Sequence, residues 1–134
     1  MDATQHVVAH GVNCQGYFGS GVAGAIRRRH PYVREQYLSL DEHVLGTCQF
    51  VEYDGRIWVN AHTQKDKGYD GAVYADLTAV GLCFAEIADY MDEHGLVTIA
   101  MPKIGCGLGG LDWDQVSVLV EGLFEDHEVY VYEL

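Results

Sequence analysis

Two glycine-rich segments limit most strongly what this chain can fold into. The first, NCQGYFGSG at residues 13–21, follows a candidate strand and precedes a candidate helix. The second, PKIGCGLGGL at residues 102–111, has the same setting. Glycine lets the backbone approach a bound anion closely and turn successive N–H groups towards it. A helix that starts at such a loop adds free N–H groups and the positive end of its dipole. Side-chain cations are scarce here: residues 13–24 contain none, and residues 102–113 contain only Lys103. An anion bound at these loops therefore depends on backbone N–H groups. Residues 13–24 and 105–110 together hold 8 of the 16 glycines, namely Gly16, Gly19, Gly21, Gly24, Gly105, Gly107, Gly109 and Gly110.

Composition narrows the ligand. With 8 basic and 20 acidic side chains the 134 residues carry a formal charge of −12. That balance argues against a nucleic-acid or anionic-membrane surface as partner, because both are themselves negative. It leaves room for one small dianion in a discrete pocket. Hydrophobic residues at 49% exclude a disordered acidic tail, and the length suits one domain over residues 1–134. The cysteines Cys14, Cys48, Cys83 and Cys106 lie too far apart for a CxxC motif. The start MDATQHVVAHG lacks the basic and apolar regions of an export signal, and no apolar run is long enough for a membrane helix. These features predict a reduced, cytoplasmic protein.

Along the chain, strands and helices alternate without a linker. Gln5–Val12 reads as a buried strand, Val22–Arg29 as a helix stopped by Pro31, and Tyr32–Leu40 as a second helical stretch. Thr47–Tyr53 and Arg56–Ala61 flank Asp54-Gly55, a hairpin signal. Residues 62–71 read as a polar loop. Ala72–His94 has apolar residues at helical spacing, with Gly95 as its stop. Val97–Met101 is a strand, Asp114–Phe124 a helix and Glu128–Leu134 a closing strand. The alternation predicts an α/β sheet covered by helices, with ligands at the carboxyl ends of its strands.

Gly19-Ser20-Gly21-Val22-Ala23-Gly24 is a literal GxGxxG. A dinucleotide fingerprint sits directly after its strand, and here NCQGYF intervenes, so that reading is set aside. The segments HGVNCQGYFGSGVAGAIRRRHP, RIWVNAHTQ, MPKIGCGLGGLDWDQV and VYVYEL resemble instead those of macrodomains. The similarity is greatest to ADP-ribose 1″-phosphate phosphatases and to enzymes that remove terminal ADP-ribose from protein carboxylates. The resemblance implies a three-layer α/β/α fold around a mixed sheet, an ADP-ribose ligand, no metal and no cofactor. It places Asn13 at the distal ribose with His10 nearby. It places Gly19, Ser20, Gly21 and Val22 under the diphosphate and distal ribose. Pro102, Ile104, Gly105, Cys106, Gly107, Leu108 and Gly109 fall in the loop over the phosphates, and Tyr132 and Leu134 meet the adenosine. Two departures stand out. Either the family's first strand and its adenine-contacting turn are missing or truncated, which leaves a sheet edge open to a homo-oligomer, or the true start lies upstream. Gly109 also replaces the aspartate of the carboxylate-cleaving branch, whose loop lysine has Lys65 as its nearest counterpart.

The titratable candidates each have a plainer alternative. His10 suits proton transfer at a phosphate ester, or a histidine bonded inside a strand end. Asp112 suits water activation, or the N-cap of the helix that follows. Cys106 lies among N–H groups that would lower its thiol pKa, but no base adjoins it in the sequence. His6, His10 and Cys14 lack a further strong metal ligand. Trp58, Tyr17, Phe18, Tyr69 and Tyr74 are candidate pocket walls, or packing residues. Arg27, Arg28 and Arg29 suit the negative end of a helix dipole. The leading expectation is a hydrolase of ADP-ribose 1″-phosphate. The alternatives are a non-catalytic ADP-ribose reader and a hydrolase that frees protein carboxylates.

Overall fold

The computed structural model describes residues 5–15, 26, 28–65, 75–106 and 110–132. β1 (Val7–Asn13) is an apolar run buried on both faces. Such a run belongs in the middle of a sheet, and parallel neighbours flank it on each side. α1 (Pro31–Leu38) begins on a proline, which presets the first helical φ. β2 (Cys48–Tyr53) and β3 (Arg56–Gln64) form the expected hairpin. Asp54 and Gly55 take φ of 55° and 74°, as a tight turn between twisted strands requires. α2 (Leu77–His94) is capped by the Asp76 carboxylate, which accepts the Ala79 N–H, and ends at left-handed Gly95. β4 (Thr98–Met101), α3 (Trp113–Leu123) and β5 (Glu128–Val131) complete the described chain.

The sheet order is β2-β3-β1-β4-β5, with β2 antiparallel and the others parallel. Successive side chains of β1 face opposite layers. Val7 and Ala9 join the core under α2 and α3, with Phe84, Ile87, Met91 and Val116. Val8 and Val12 join the other layer, with Ile26, Val33, Tyr37 and Trp58. The fold is thus the expected three-layer α/β/α arrangement around a mixed sheet. Among the described residues no strand precedes β1, and β5 closes the sheet order with Tyr130 and Val131 exposed. Ile26, Arg28 and Arg29 are helical, and the rest of the predicted helix over Val22–Arg29 lies outside the described residues.

Two predicted boundaries move. Residues 62–64 belong to β3 rather than to a polar loop, because the strand keeps pairing with β1 and its polar groups bond internally. The long helix starts at Leu77 rather than Ala72, because Ala75 bridges to Gln64 and Asp76 caps the first turn. The β1–β3 register also slips: Val12 faces His62 but Asn13 faces Gln64, so Thr63 is an extra residue in the ladder. Irregularities of this kind re-aim side chains at strand ends. Gly11 accommodates the slip, since a Cβ there would lie 2.6 Å from Thr63 Oγ1. Gly11→Ala is expected to cost about 1–3 kcal/mol, the range for overpacking a tight core. Adding Thr63→Ala is expected to recover most of that loss in urea unfolding. A double variant no more stable than the sum of the two singles would clear this contact of blame.

Candidate functional site

β1, β3, β4 and β5 run parallel, so their carboxyl ends share one edge of the sheet. Four segments meet there: residues 13–15 at the end of β1, Gln64 and Lys65 at the end of β3, residues 102–106 after β4, and Tyr132 after β5. The Cys14 N–H donates to Lys65 O at 3.1 Å and the Tyr132 N–H to Met101 O at 2.9 Å, which extends the pairing one step beyond each strand. The Tyr132 hydroxyl donates to Gln5 Oε1 at 2.8 Å.

Asn13 is buried at the end of β1. Its Oδ1 accepts the Gln15 N–H at 2.9 Å and the Tyr37 hydroxyl at 3.1 Å. His10 lies three residues back, inside the strand, with no exposed surface. Its Nε2 is 2.6 Å from Asn60 Oδ1. Asn60 Nδ2 donates to Gln49 Oε1 at 2.9 Å, so Oδ1 is the acceptor end and His10 Nε2 carries the proton. Gln49 Nε2 in turn donates to Gln36 O on α1. A polar chain therefore crosses β1, β3 and β2 to the helix layer. Burial pulls the His10 pKa down from 6.5 to about 4, against the bond to Asn60 and with repulsion from His62. His10 is neutral at pH 7.

The second loop is shaped by its glycines. Gly105 and Gly110 take φ of 80° and 81°. The Cys106 N–H bonds to Lys103 O and the Leu111 N–H to Gly105 O, which holds Leu111 against Gly105. Ile104 is buried against Gly11, and Pro102 is buried as well. The Cys106 thiol is pushed up, not down: burial dominates, the Asp112 carboxylate adds to it, and Lys103 opposes it. The lowering of the thiol pKa expected from neighbouring N–H groups is therefore corrected, since this environment favours the protonated, less nucleophilic form.

Asp112 is exposed and caps α3, its Oδ1 accepting the Asp114 N–H at 3.0 Å. Asp112→Ala is expected to lower stability by about 1 kcal/mol in thermal melts, while Asp112→Asn keeps it. An equal loss in both variants would refute the cap as the source. Trp58 is a core residue and not a pocket wall; it is fully buried, and its indole N–H donates to Tyr53 O. Tyr17, Phe18, Tyr69, Tyr74 and Arg27 lie outside the described residues, as do Gly19, Ser20, Gly21, Val22, Gly107, Leu108, Gly109 and Leu134. Among the described residues no group of three or more His, Cys, Asp or Glu could hold a metal ion. Among the same residues no helix is long and apolar enough to cross a membrane.

Sequence reasoning missed one feature of the site. Tyr37 bonds to Asn13, and the His43–His62 pair, 3.1 Å apart between ring nitrogens, packs on the Tyr37 ring. The recurrence of Val33 and Tyr37 four residues apart marked a buried helix face. Nothing in the sequence marked where the hydroxyl would reach.

Comparison with known proteins agrees with this fold. The Macro domain family matches residues 62–120. The human ADP-ribose glycohydrolase OARD1 is 27% identical over 129 residues, covering 95% of this chain and 81% of that protein. The ADP-ribose 1″-phosphate phosphatase of Candida albicans is 26% identical, covering 93% and 86% respectively. The macrodomain of Mycobacterium tuberculosis DarG superposes with a TM-score of 0.85 at 25% identity, covering 98% of this chain and 91% of that one. The chain belongs to the Macro domain family.

Proposed function

We propose that this protein binds ADP-ribose or a close derivative at the shared strand edge and hydrolyses ADP-ribose 1″-phosphate to ADP-ribose and phosphate. The observation that carries the reading is the meeting of Asn13, the left-handed Gly105 turn and Tyr132 at the ends of three adjacent strands. A ligand with a ribose, a diphosphate and an adenosine in line matches that sequence of groups. The names borne by the relatives from Candida albicans and human support the same ligand class.

In this reading Gly19 to Val22 and Ile104 to Gly109 hold the diphosphate with backbone N–H groups. Asn13 faces the distal ribose, and Tyr132 and Leu134 meet the adenosine. Hydrolysis adds water across the phosphorus–oxygen bond, and the departing 1″ oxygen gains a proton. Asp112, at the exposed end of the second loop, is the carboxylate with open access to water. Neutral His10 stands behind Asn13 and keeps the strand end in place.

Two further readings have specific support. Gly109, in place of the aspartate of the carboxylate-cleaving branch, favours a reader without catalysis. The similarity to OARD1, an ADP-ribose glycohydrolase by name, favours a glycohydrolase. Calorimetry against ADP-ribose comes first, and absence of binding would reject all three readings. Phosphate released from the 1″-phosphate above background supports the phosphatase. Tight binding without release supports the reader. A label cleared from a glutamate-modified protein supports the glycohydrolase.

A further inference from the structure

Asn13 is held by a group from across the layer. Tyr37 lies on α1, fully buried, 24 residues along the chain. Its hydroxyl has one proton and two acceptors on the same residue: Asn13 O at 2.7 Å and Asn13 Oδ1 at 3.1 Å. The Gln15 N–H reaches Oδ1 from the next turn of chain at 2.9 Å. Two donors converging on one atom of a carboxamide require that atom to be the oxygen. The amide nitrogen, and with it the two N–H donors, is then turned away from Tyr37 and Gln15.

The tyrosine ring is itself held in place. His43 packs on it with ring centroids 4.3 Å apart, and His62 lies at 6.0 Å. His62 Nδ1 donates to Thr47 O at 2.8 Å, so its Nε2 accepts from His43 Nδ1 at 3.1 Å. The phenol thus enters the site from a fixed stack built by α1, β3 and the segment before β2. A buried hydroxyl needs only one acceptor to be satisfied. This one spans the backbone and the side chain of the residue at which the β1–β3 register slips.

We propose that Tyr37 is a positioning residue: its hydroxyl sets the Asn13 carboxamide so that the amide donors meet the terminal ribose of the ligand, and so gives preference for ADP-ribose over ADP. The inference rests on the ADP-ribose reading given above. A bond that merely ties α1 to β1 would support both ligands equally. A bond that aims Asn13 supports only the ligand carrying the terminal ribose.

The test is calorimetry of wild type, Tyr37→Phe, Asn13→Ala and the double variant against ADP-ribose and ADP. Tyr37→Phe is expected to weaken ADP-ribose about tenfold and to change ADP by less than about twofold. The double variant is expected to bind ADP-ribose no more weakly than Asn13→Ala alone, because both changes remove one interaction. Equal losses for both ligands, or additive losses in the double variant, would overturn the proposal. So would a wild type that does not distinguish ADP-ribose from ADP. A wild type that binds neither ligand overturns the ADP-ribose reading itself, and the ribose preference falls with it. If Tyr37→Phe fails to fold, the Asn13 side-chain amide of the wild type is read by NMR relaxation. An order parameter near that of rigid backbone, about 0.85, is expected, and one below about 0.6 would overturn the positioning role.

Discussion

Acid is expected to destabilise the wild-type protein far more than a His10→Gln variant. The His10 pKa falls from 6.5 to about 4 in the folded protein because the ring is fully buried between β1 and its neighbours. The sign follows from which state takes up the proton first. Between pH 6.5 and pH 4 the unfolded chain is protonated at His10 and the native chain is not. Stability is therefore complete above pH 6.5 and drains as pH falls towards 4, where the loss levels off. At about 1.4 kcal/mol per pH unit the full loss is about 3 kcal/mol. The interval from pH 7.5 to 5.5 already contains about 1.4 kcal/mol of it. Glutamine can still donate to Asn60 Oδ1 but does not titrate. Burial lowers the pKa of His62 and of His30 as well, so both add acid sensitivity of the same sign to each protein. The difference between wild type and variant isolates His10. Urea unfolding at several pH values measures it, and identical pH slopes in the two proteins would refute the buried-histidine account.

That result bears on chemistry as well as stability. A neutral imidazole with Nε2–H committed to Asn60 is a poor proton donor at pH 7. The ring was legible as a functional candidate because histidine at a strand end has a pKa suited to proton transfer. Its burial was not legible, because it depends on β3 lying alongside β1 in a particular register. The same limit explains the other differences. HTQ at residues 62–64 is polar, and polarity reads as loop until one knows that His62 finds Thr47 and His43 inside. Trp58 was a candidate pocket wall because aromatic residues serve both roles; only the pairing of β3 with β1 and β2 puts it in the core. Cys106 was assigned a lowered pKa from neighbouring N–H groups alone, whereas burial and Asp112 act the other way. The local signals carried better. Asp54-Gly55 encodes its hairpin, Gly95 its helix end, and the apolar run of β1 its central place, because each acts within a few residues.

Gly105→Ala is expected to damage both stability and ligand binding, because two independent constraints meet at that position. The first is backbone conformation. Gly105 has φ of 80°, a region that a residue with a Cβ enters at a cost of about 1–3 kcal/mol. The second is space. An added Cβ would lie 2.9 Å from Leu111 Cδ1 and 3.3 Å from Ala75 Cβ. Leu111 can rotate its end away, but Ala75 is a buried single carbon held by its bridge to Gln64. The backbone of residue 105 must therefore shift. That shift would disturb the bond from the Leu111 N–H to Gly105 O in the second loop. If this loop holds the diphosphate with backbone N–H groups, a small displacement misdirects several donors together, since a backbone donor has no rotamer to readjust. Calorimetry with ADP-ribose is expected to show a loss of at least about tenfold. Urea unfolding is expected to show a loss of about 2 kcal/mol. Gly55→Ala is the matched control. It has a similar φ of 74° but nothing within 4 Å of its Cβ, and it lies in the hairpin turn, away from the strand edge. It is expected to lose about 1 kcal/mol of stability and no affinity. If Gly105→Ala bound ADP-ribose as tightly as the wild type, the loop after β4 would have no part in holding the diphosphate.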